Sequence, residues 1–247
     1  MKILHNSKYA VIVLVLLFAA QTNAQITLQV GGGLGYSSPS GDMGGSTVDF
    51  YSGTKYGLKS GFNIHGKARV GILFFNAFGE IGYTSFSGDG EAEPGQGKVD
   101  VSQKVFSIKV GPEFQLSIPA SPITPYLQGF LALNRFSGDV EFQGVSKVPS
   151  GKYDIPSESR IGLGAGVGVL FSLGGLNLDL NVQYHLMNIG GKEYSIVDPT
   201  SHERLDNYTS LNDDQDPLIE LGGDDHIISS SRSIDAIEFK LSVMFGL

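Results

Sequence analysis

IEFKLSVMFGL, residues 237–247, alternates without a break. Ile237, Phe239, Leu241, Val243, Phe245 and Leu247 are apolar, and Glu238, Lys240, Ser242, Met244 and Gly246 fall between them. Successive side chains of a β-strand point to opposite faces, so a period of two gives one apolar and one more polar face. The chain is expected to finish on this strand, with no tail. A strand in that place has one obvious task, which is to close a sheet.

Seven further segments upstream alternate in the same way. They are predicted at residues 26–36, 58–70, 73–85, 104–118, 126–136, 160–173 and 176–187. Segment 160–173 places Ile161, Leu163, Ala165, Val167, Val169 and Phe171 against Gly162, Gly164, Gly166 and Gly168. In segment 104–118, Pro112 removes a ladder donor from the apolar face, which predicts a bulge or a nearby strand end. Segment 126–136 leaves its phase open: Leu127, Leu131 and Leu133 alternate, but so do Tyr126, Phe130 and Phe136.

The connections between the eight segments alternate in length. Long polar loops are predicted at 37–54, 87–100, 137–158 and 188–232. The others are short: almost nothing after Val70, PASPIT at 119–124, and the two-residue turn Gly174–Gly175. An even number of antiparallel strands, with short turns at one end and long loops at the other, is the pattern of a transmembrane β-barrel. The predicted fold class is therefore all-β, an eight-stranded antiparallel up-and-down barrel. Both termini lie on its short-turn side.

Composition agrees. Among 247 residues, 17% are charged, 34 are Gly, 15 Phe and 10 Tyr, and there is no Cys or Trp. The absence of Cys excludes disulfides, thiolate zinc sites and cysteine nucleophiles. Residues 1–24 read as a signal peptide, with Lys2 and Lys8 ahead of an eleven-residue apolar run from Ala10 to Ala20 and small residues at Thr22 and Ala24. The barrel domain is then expected over residues 25–247. Loss of Lys2 and Lys8 takes the net charge from −8 to −10. Nucleic acid is a poor partner for such a chain, because binding it requires phosphate-neutralising cations.

A soluble barrel alternates equally well with its apolar face inward. Three features favour apolar outward. The apolar faces carry no charge, and Arg or Lys against lipid costs roughly 2–4 kcal/mol at mid-depth. The opposite face of 160–173 is nearly all Gly, which suits a cramped interior. Tyr36, Tyr83 and Tyr184 sit at strand ends on the apolar face, at the depth of an aromatic girdle. The polar faces balance: Lys67, Arg69, Lys109 and Lys240 against Glu80, Glu113, Asp179 and Glu238. In a narrow bore such charges must pair. An interior network of these eight with His65, His185, Asn181 and Gln183 is expected, with Asp179–Lys240 and Glu238–Lys67 as its pairs.

The closing strand, the GLGAGVGV run at 162–169 and the LDLNVQY run at 178–184 resemble the outer-membrane β-barrel domain family, the eight-stranded OmpA/OmpX-like proteins. The resemblance implies location in the cell outer membrane, reached by way of the signal peptide. It implies contact with outer-membrane lipid and lipopolysaccharide. It also implies a C-terminal signal read by the barrel-assembly machinery, here Phe239, Leu241, Val243, Phe245 and Leu247, with Leu at the last position where Phe is commoner. No peptidoglycan-binding domain is expected after the barrel. A structural or adhesin-like surface role is implied, with a small passive pore or a lipid A-modifying enzyme as alternatives.

Some barrels of this size are lipid A deacylases that use Ser, His and an acid at the lipid-facing rim. His185 is instead on the polar face, with no His-x-Ser neighbour, and reads as an interior histidine. No catalytic residue, cofactor or metal ligand is expected. Asn212, Asp214 and Asp216 alternate like the start of a calcium loop, but Pro217 stands where the turn glycine belongs. A solvated acidic loop is expected there, with a weak divalent-cation or lipopolysaccharide-bridging site as the alternative.

Overall fold

A computed structural model of the chain describes residues 26–72, 75–116, 118–196, 203–221 and 223–246. The expected signal peptide, the start of the third strand at 73–74 and Leu247 lie outside the described residues. Eight strands form a closed antiparallel barrel in sequence order. They are β1 (Ile26–Ser40), β2 (Gly61–Ile72), β3 (Phe75–Glu93), β4 (Gln96–Gln115), β5 (Ile123–Gln143), β6 (Gly151–Ser172), β7 (Leu176–Gly190) and β8 (Asp235–Gly246). β8 closes on β1 with Leu241 opposite Leu34 and Phe239 opposite Tyr36. No open edge remains in this part of the wall, as a bilayer requires. Gly174 and Gly175 both take positive φ, 65° and 96°, in the hairpin between β6 and β7.

The outward face is a continuous apolar band. Leu34, Ile64, Ile81, Val110, Leu131, Val167 and Leu241 are each at least half exposed. Aromatic residues mark both rims, Tyr36, Phe62, Tyr83, Phe106 and Tyr184 at one and Phe75, Phe114 and Phe245 at the other. From Phe106 to Phe114 the outward positions of β4 are Phe106, Ile108, Val110, Pro112 and Phe114. Nine to eleven tilted residues are what a strand needs to cross a bilayer.

β3 to β6 continue about ten residues beyond that band, and there the polarity of the two faces reverses. Outside the band the outward positions are polar, such as Ser85, Ser87 and Asp89 on β3 and Lys104 and Asp100 on β4. The inward positions become apolar: Phe86, Val99, Val101, Val105, Phe136, Val140 and Phe142 are buried. The alternation does not change phase along the strand. Lipid surrounds the lower part and water the upper part, so the side of the strand that must be apolar changes. The predicted loops 87–100 and 137–158 are therefore mostly ladder, closed by a two-residue turn after Glu93 and a seven-residue connection after Gln143. Val140 to Phe142 extends β5 outward, whereas His226 to Ile228 forms no strand.

Inside these walls the other two outer connections fold as a plug. Helix α1 (Thr47–Tyr51) lies in the β1–β2 connection. Helix α2 (Glu203–Asp206) lies in the β7–β8 connection. Their Phe50, Tyr51, Tyr208, Leu211 and Ile234 join Met43, Val101, Phe136 and Phe142 in one buried apolar cluster. Burial of each such side chain contributes roughly 1.5–3 kcal/mol. The β1–β2, β5–β6 and β7–β8 connections and the outer ends of the extended strands thus share a small buried core above the membrane.

Two local expectations are corrected or resolved. Val110 pairs with Leu131 and Glu113 with Gln128, so the register is the same on both sides of Pro112 and no bulge forms there. The strand instead ends three residues later, at Gln115. A bulge does form between Phe136 and Gly138, where Pro156 and Ser157 of β6 stand opposite Ser137 alone. In β5, Leu127, Leu131 and Leu133 face outward, while Tyr126, Phe130 and Phe136 point in. The facing strand makes room for them. A Cβ on Gly164 would stand 2.2 Å from the Phe130 ring, and one on Gly168 2.2 Å from the Tyr126 ring.

Candidate functional site

Two places gather chemistry-bearing side chains: the bore inside the lipid band and the plug above it. In the bore the charges form two groups. Near the short-turn end, Arg69 Nη2 lies 2.7 Å from Glu113 Oε2 and 3.0 Å from Asp179 Oδ2. Lys67 Nζ reaches Asp179 at 3.1 Å and Glu113 at 3.5 Å. The Tyr126 hydroxyl donates to the other Asp179 oxygen at 2.6 Å. The group is neutral, two cations against two carboxylates.

Toward the outer end, Lys109 Nζ donates to both Glu238 oxygens at 3.0 and 2.8 Å and lies 3.5 Å from Glu80. Lys240 pairs with Glu80 and lies 2.7 Å from Glu238 Oε2. Gln183 donates to Glu238 at 2.7 Å, and His185 Nδ1 is 2.9 Å from the same carboxylate. This group is neutral as well. All eight charged residues expected in the interior are brought into it, but with different partners. Asp179 is held by Lys67 and Arg69, not Lys240, and Glu238 by Lys109 and Lys240, not Lys67. Long side chains in a narrow bore reach across it, so the nearest strand does not decide the partner.

His65 bonds elsewhere. Its Nε2 is 2.7 Å from Ser242 Oγ and its Nδ1 is 2.8 Å from Asn63 Oδ1. A serine, a histidine and an amide thus stand in line, as in a nucleophilic relay. All three are nearly fully buried, at 3%, 5% and 2% exposure, and face the bore rather than the lipid. Nothing in that arrangement leaves a substrate carbonyl a place beside Ser242. The line satisfies interior polar groups. His185 is fully buried, its ring edge-on to Phe130 at 5.3 Å.

The plug has its own polar frame, which the sequence did not announce. Arg160 holds Asp213 through Nε at 3.1 and 3.0 Å and through Nη2 at 2.9 Å. Asn188 donates to Asp213 at 2.9 Å and to the Arg232 carbonyl at 3.0 Å. Arg232 donates to the Asn212 carbonyl at 2.6 Å and stacks over the Tyr56 ring at 4.1 Å. The Tyr208 hydroxyl and Arg204 both donate to the Tyr51 carbonyl, at 2.7 and 2.9 Å. Burial pushes the Tyr208 phenol above its ordinary pKa. The acidic stretch is corrected accordingly: Asn212, Asp213 and Asp216 are buried, and His226 Nδ1 is 2.9 Å from Asp216. Among the described residues no group of three or more His, Cys, Asp or Glu is placed to hold a metal ion.

Along the closing strand, Phe239, Leu241 and Phe245 face outward and are about half exposed, at 47%, 51% and 52%. Val243 points the same way. A family model described as the outer membrane protein beta-barrel domain matches residues 10–212. The chain belongs to that family. As an outer membrane protein beta-barrel domain, it carries the coarse conclusion that this is a barrel of the outer membrane.

Solved structures are similar in fold. Neisserial surface protein A is 16% identical over 88% of this chain and 96% of its own, with a TM-score of 0.49. OprG from Pseudomonas aeruginosa is 11% identical over 90% and 95%, with a TM-score of 0.48. Ail, the attachment invasion locus protein of Yersinia pestis, was solved with the heparin analogue sucrose octasulfate. It is 15% identical over 90% and 97%, with a TM-score of 0.41. No curated protein matches the sequence.

Proposed function

We propose that this outer membrane protein beta-barrel domain is a non-conducting anchor whose working part is the folded plug and its walls, presented outside the cell for surface interaction. One observation carries the proposal. Three of the four outer connections and the outer ends of the extended strands converge on a single apolar core that closes the mouth of the barrel. A porin-like channel has a polar, water-filled interior. Here two neutral ion-pair groups fill the bore below that closure. Rigid outer surfaces lose less conformational entropy on binding than mobile loops do, which suits a recognition surface.

Planar-bilayer recording of the purified protein tests the first half. Silence is expected, and steady porin-sized currents would overturn the anchor reading. Binding of vesicle-borne protein to arrays of host glycans, matrix proteins and bacterial surface polymers tests the second half. A variant lacking residues 192–230 should keep a heat-modifiable barrel and lose binding. Binding unchanged by that deletion, or no binding to any arrayed surface, would remove the surface role.

A further inference from the structure

Wall and plug are joined where the β6–β7 ladder breaks. Leu163 pairs with Leu186 and Ile161 with Gly190, so Met187, Asn188 and Ile189 stand opposite Gly162 alone. The Met187 N–H donates instead to the Ile234 carbonyl at 2.7 Å. Asn188 Oδ1 accepts from the Ile234 N–H at 2.8 Å. Just above this break β6 carries Glu158 and Arg160, and the chain leaving β7 carries Glu193.

Arg160 clasps three carboxylates there. Its Nη2 lies 2.5 Å from Glu158 Oε2 and 2.9 Å from Asp213 Oδ1, and its Nη1 lies 3.3 Å from Glu193 Oε1. The Arg160, Asp213 and Glu158 side chains are 2%, 0% and 11% exposed, and Glu193 sits at the mouth at 56%. One buried cation thus serves two buried carboxylates, whereas each group in the bore balances two against two. Among the described residues no other cation bonds to the three. Arg204 and Arg232 spend their forks on the Tyr51 and Asn212 carbonyls. Lys192 is taken by Ser231 and the Arg232 carbonyl, and Arg135 of β5 is on the outward face. Asp213 also accepts from Asn188 and from the Glu193 N–H, at 2.9 and 3.1 Å. Glu158 is the less well served of the buried pair. Burial pushes its carboxyl above the ordinary value of 4.5, against the pull of Arg160 and of the Leu211 N–H, and the Glu193 charge adds to the rise.

We propose that the Arg160 clasp is a proton-operated latch on the plug, with Glu158 as the group that takes up the proton. A buried charge in excess of its partners is neutralised rather than carried. Once Glu158 is protonated, Arg160 keeps Asp213 and Glu193 and the surplus charge is gone. A carboxyl raised in the seated plug binds more protons there than in the released plug. Seating is therefore firmest at and below the ordinary Glu value, and it weakens as pH rises from there to the raised value. The plug is held tightly in mild acid and less tightly at neutral pH, with the lipid-embedded wall unaffected. The inference concerns how firmly the plug is seated, and it holds whether or not the plug binds a partner.

Amide exchange of the full chain in lipid nanodiscs reads the seating. Protection factors in residues 205–213, corrected for the intrinsic exchange rate at each pH, should fall as pH rises from about 4.5, the ordinary Glu range, to about 8. The expected fall is about tenfold for each unit by which seating raises the Glu158 carboxyl. Residues 106–114 in the lipid band should stay level. Glu158→Gln carries no charge at any pH and should remove the fall, holding residues 205–213 at their acid-side protection, with heat-modifiable mobility kept. Carboxyl 13C titration of the unsubstituted protein needs no variant to fold: Glu158 should show a midpoint above 4.5. A midpoint at or below that value, protection that stays level or rises with pH, or a fall that survives Glu158→Gln overturns the proposal.

Discussion

Lys109 of β4 and Glu238 of β8 meet across the bore, although their strands are not neighbours and 129 residues separate them in sequence. The ammonium group donates to both carboxylate oxygens. This contact ties opposite walls of the barrel, in addition to the ladder that runs around it.

Breaking one side of that tie leaves a buried charge without its partner, a change that typically costs about 3–5 kcal/mol. Glu238→Gln is therefore expected to lower the urea midpoint of the lipid-reconstituted barrel sharply. The double variant Lys109→Met, Glu238→Leu should recover much of the loss, because no unpaired charge remains. Additive losses in the double variant would contradict the cross-bore pairing.

Gly164 is a close approach on the inner wall. A Cβ there would meet the Phe130 ring at 2.2 Å and the Tyr184 carbonyl at 2.4 Å. Gly164→Ala should cost about 1–3 kcal/mol as overpacking. Adding Phe130→Leu should relieve the ring contact but not the backbone contact, giving partial rescue in the folded fraction seen on gels.

Asp213 in the plug is bound by Arg160 and Asn188 with no exposure. Asp213→Ala removes the hydrogen bonds from Arg160 and Asn188, at a cost of about 1–3 kcal/mol, while Arg160 keeps Glu158 and Glu193. The plug should loosen while the lipid-embedded wall stays intact. Limited proteolysis of intact vesicles should then cut within residues 188–234 and leave a protected barrel fragment.

Acid should loosen helix α1. The Ser46 backbone and hydroxyl both donate to Asp49, holding its carboxyl below the ordinary value of 3.8. A carboxyl depressed in the folded state stabilises above its unfolded pKa and loses that stabilisation as pH falls toward its folded value. Amide protection factors in residues 47–51, corrected for the intrinsic exchange rate at each pH, should therefore fall as pH drops below about 4, the unfolded Asp range. Asp49→Asn should flatten that dependence. Because the side chain is exposed, the effect is expected to be local.

The lipid-facing part of the fold was legible in the sequence because one solvent imposes one rule. From Ile237 to Phe245 every second residue faces hydrocarbon, and alternation reports it directly. The outer walls were read as loops because their water-facing side is Ser, Gly, Asp and Lys, as at Ser87, Asp89 and Asp100. The inner side kept the signal at Val99, Val101 and Val105, in step with the lipid-facing Phe106 only if the sides are exchanged. The members of the interior network were legible from charge on polar faces. Their pairing was not, since Lys109 reaches Glu238 past strands that alternation cannot rank by distance. Arg160 and Asp213 gave no sign of each other, because the rest of β6, all of β7 and part of an irregular connection lie between them.

The reversal of sidedness above the aromatic rim has a consequence for how this surface can change. Ser87, Asp89 and Asp100 are exposed and point away from the core, and Asp89 meets only the exposed Lys59. Substitutions at such positions are usually worth less than about 0.5 kcal/mol. The face that meets the surroundings can therefore be rewritten one residue at a time. The core that holds it upright is on the other side of the same strands.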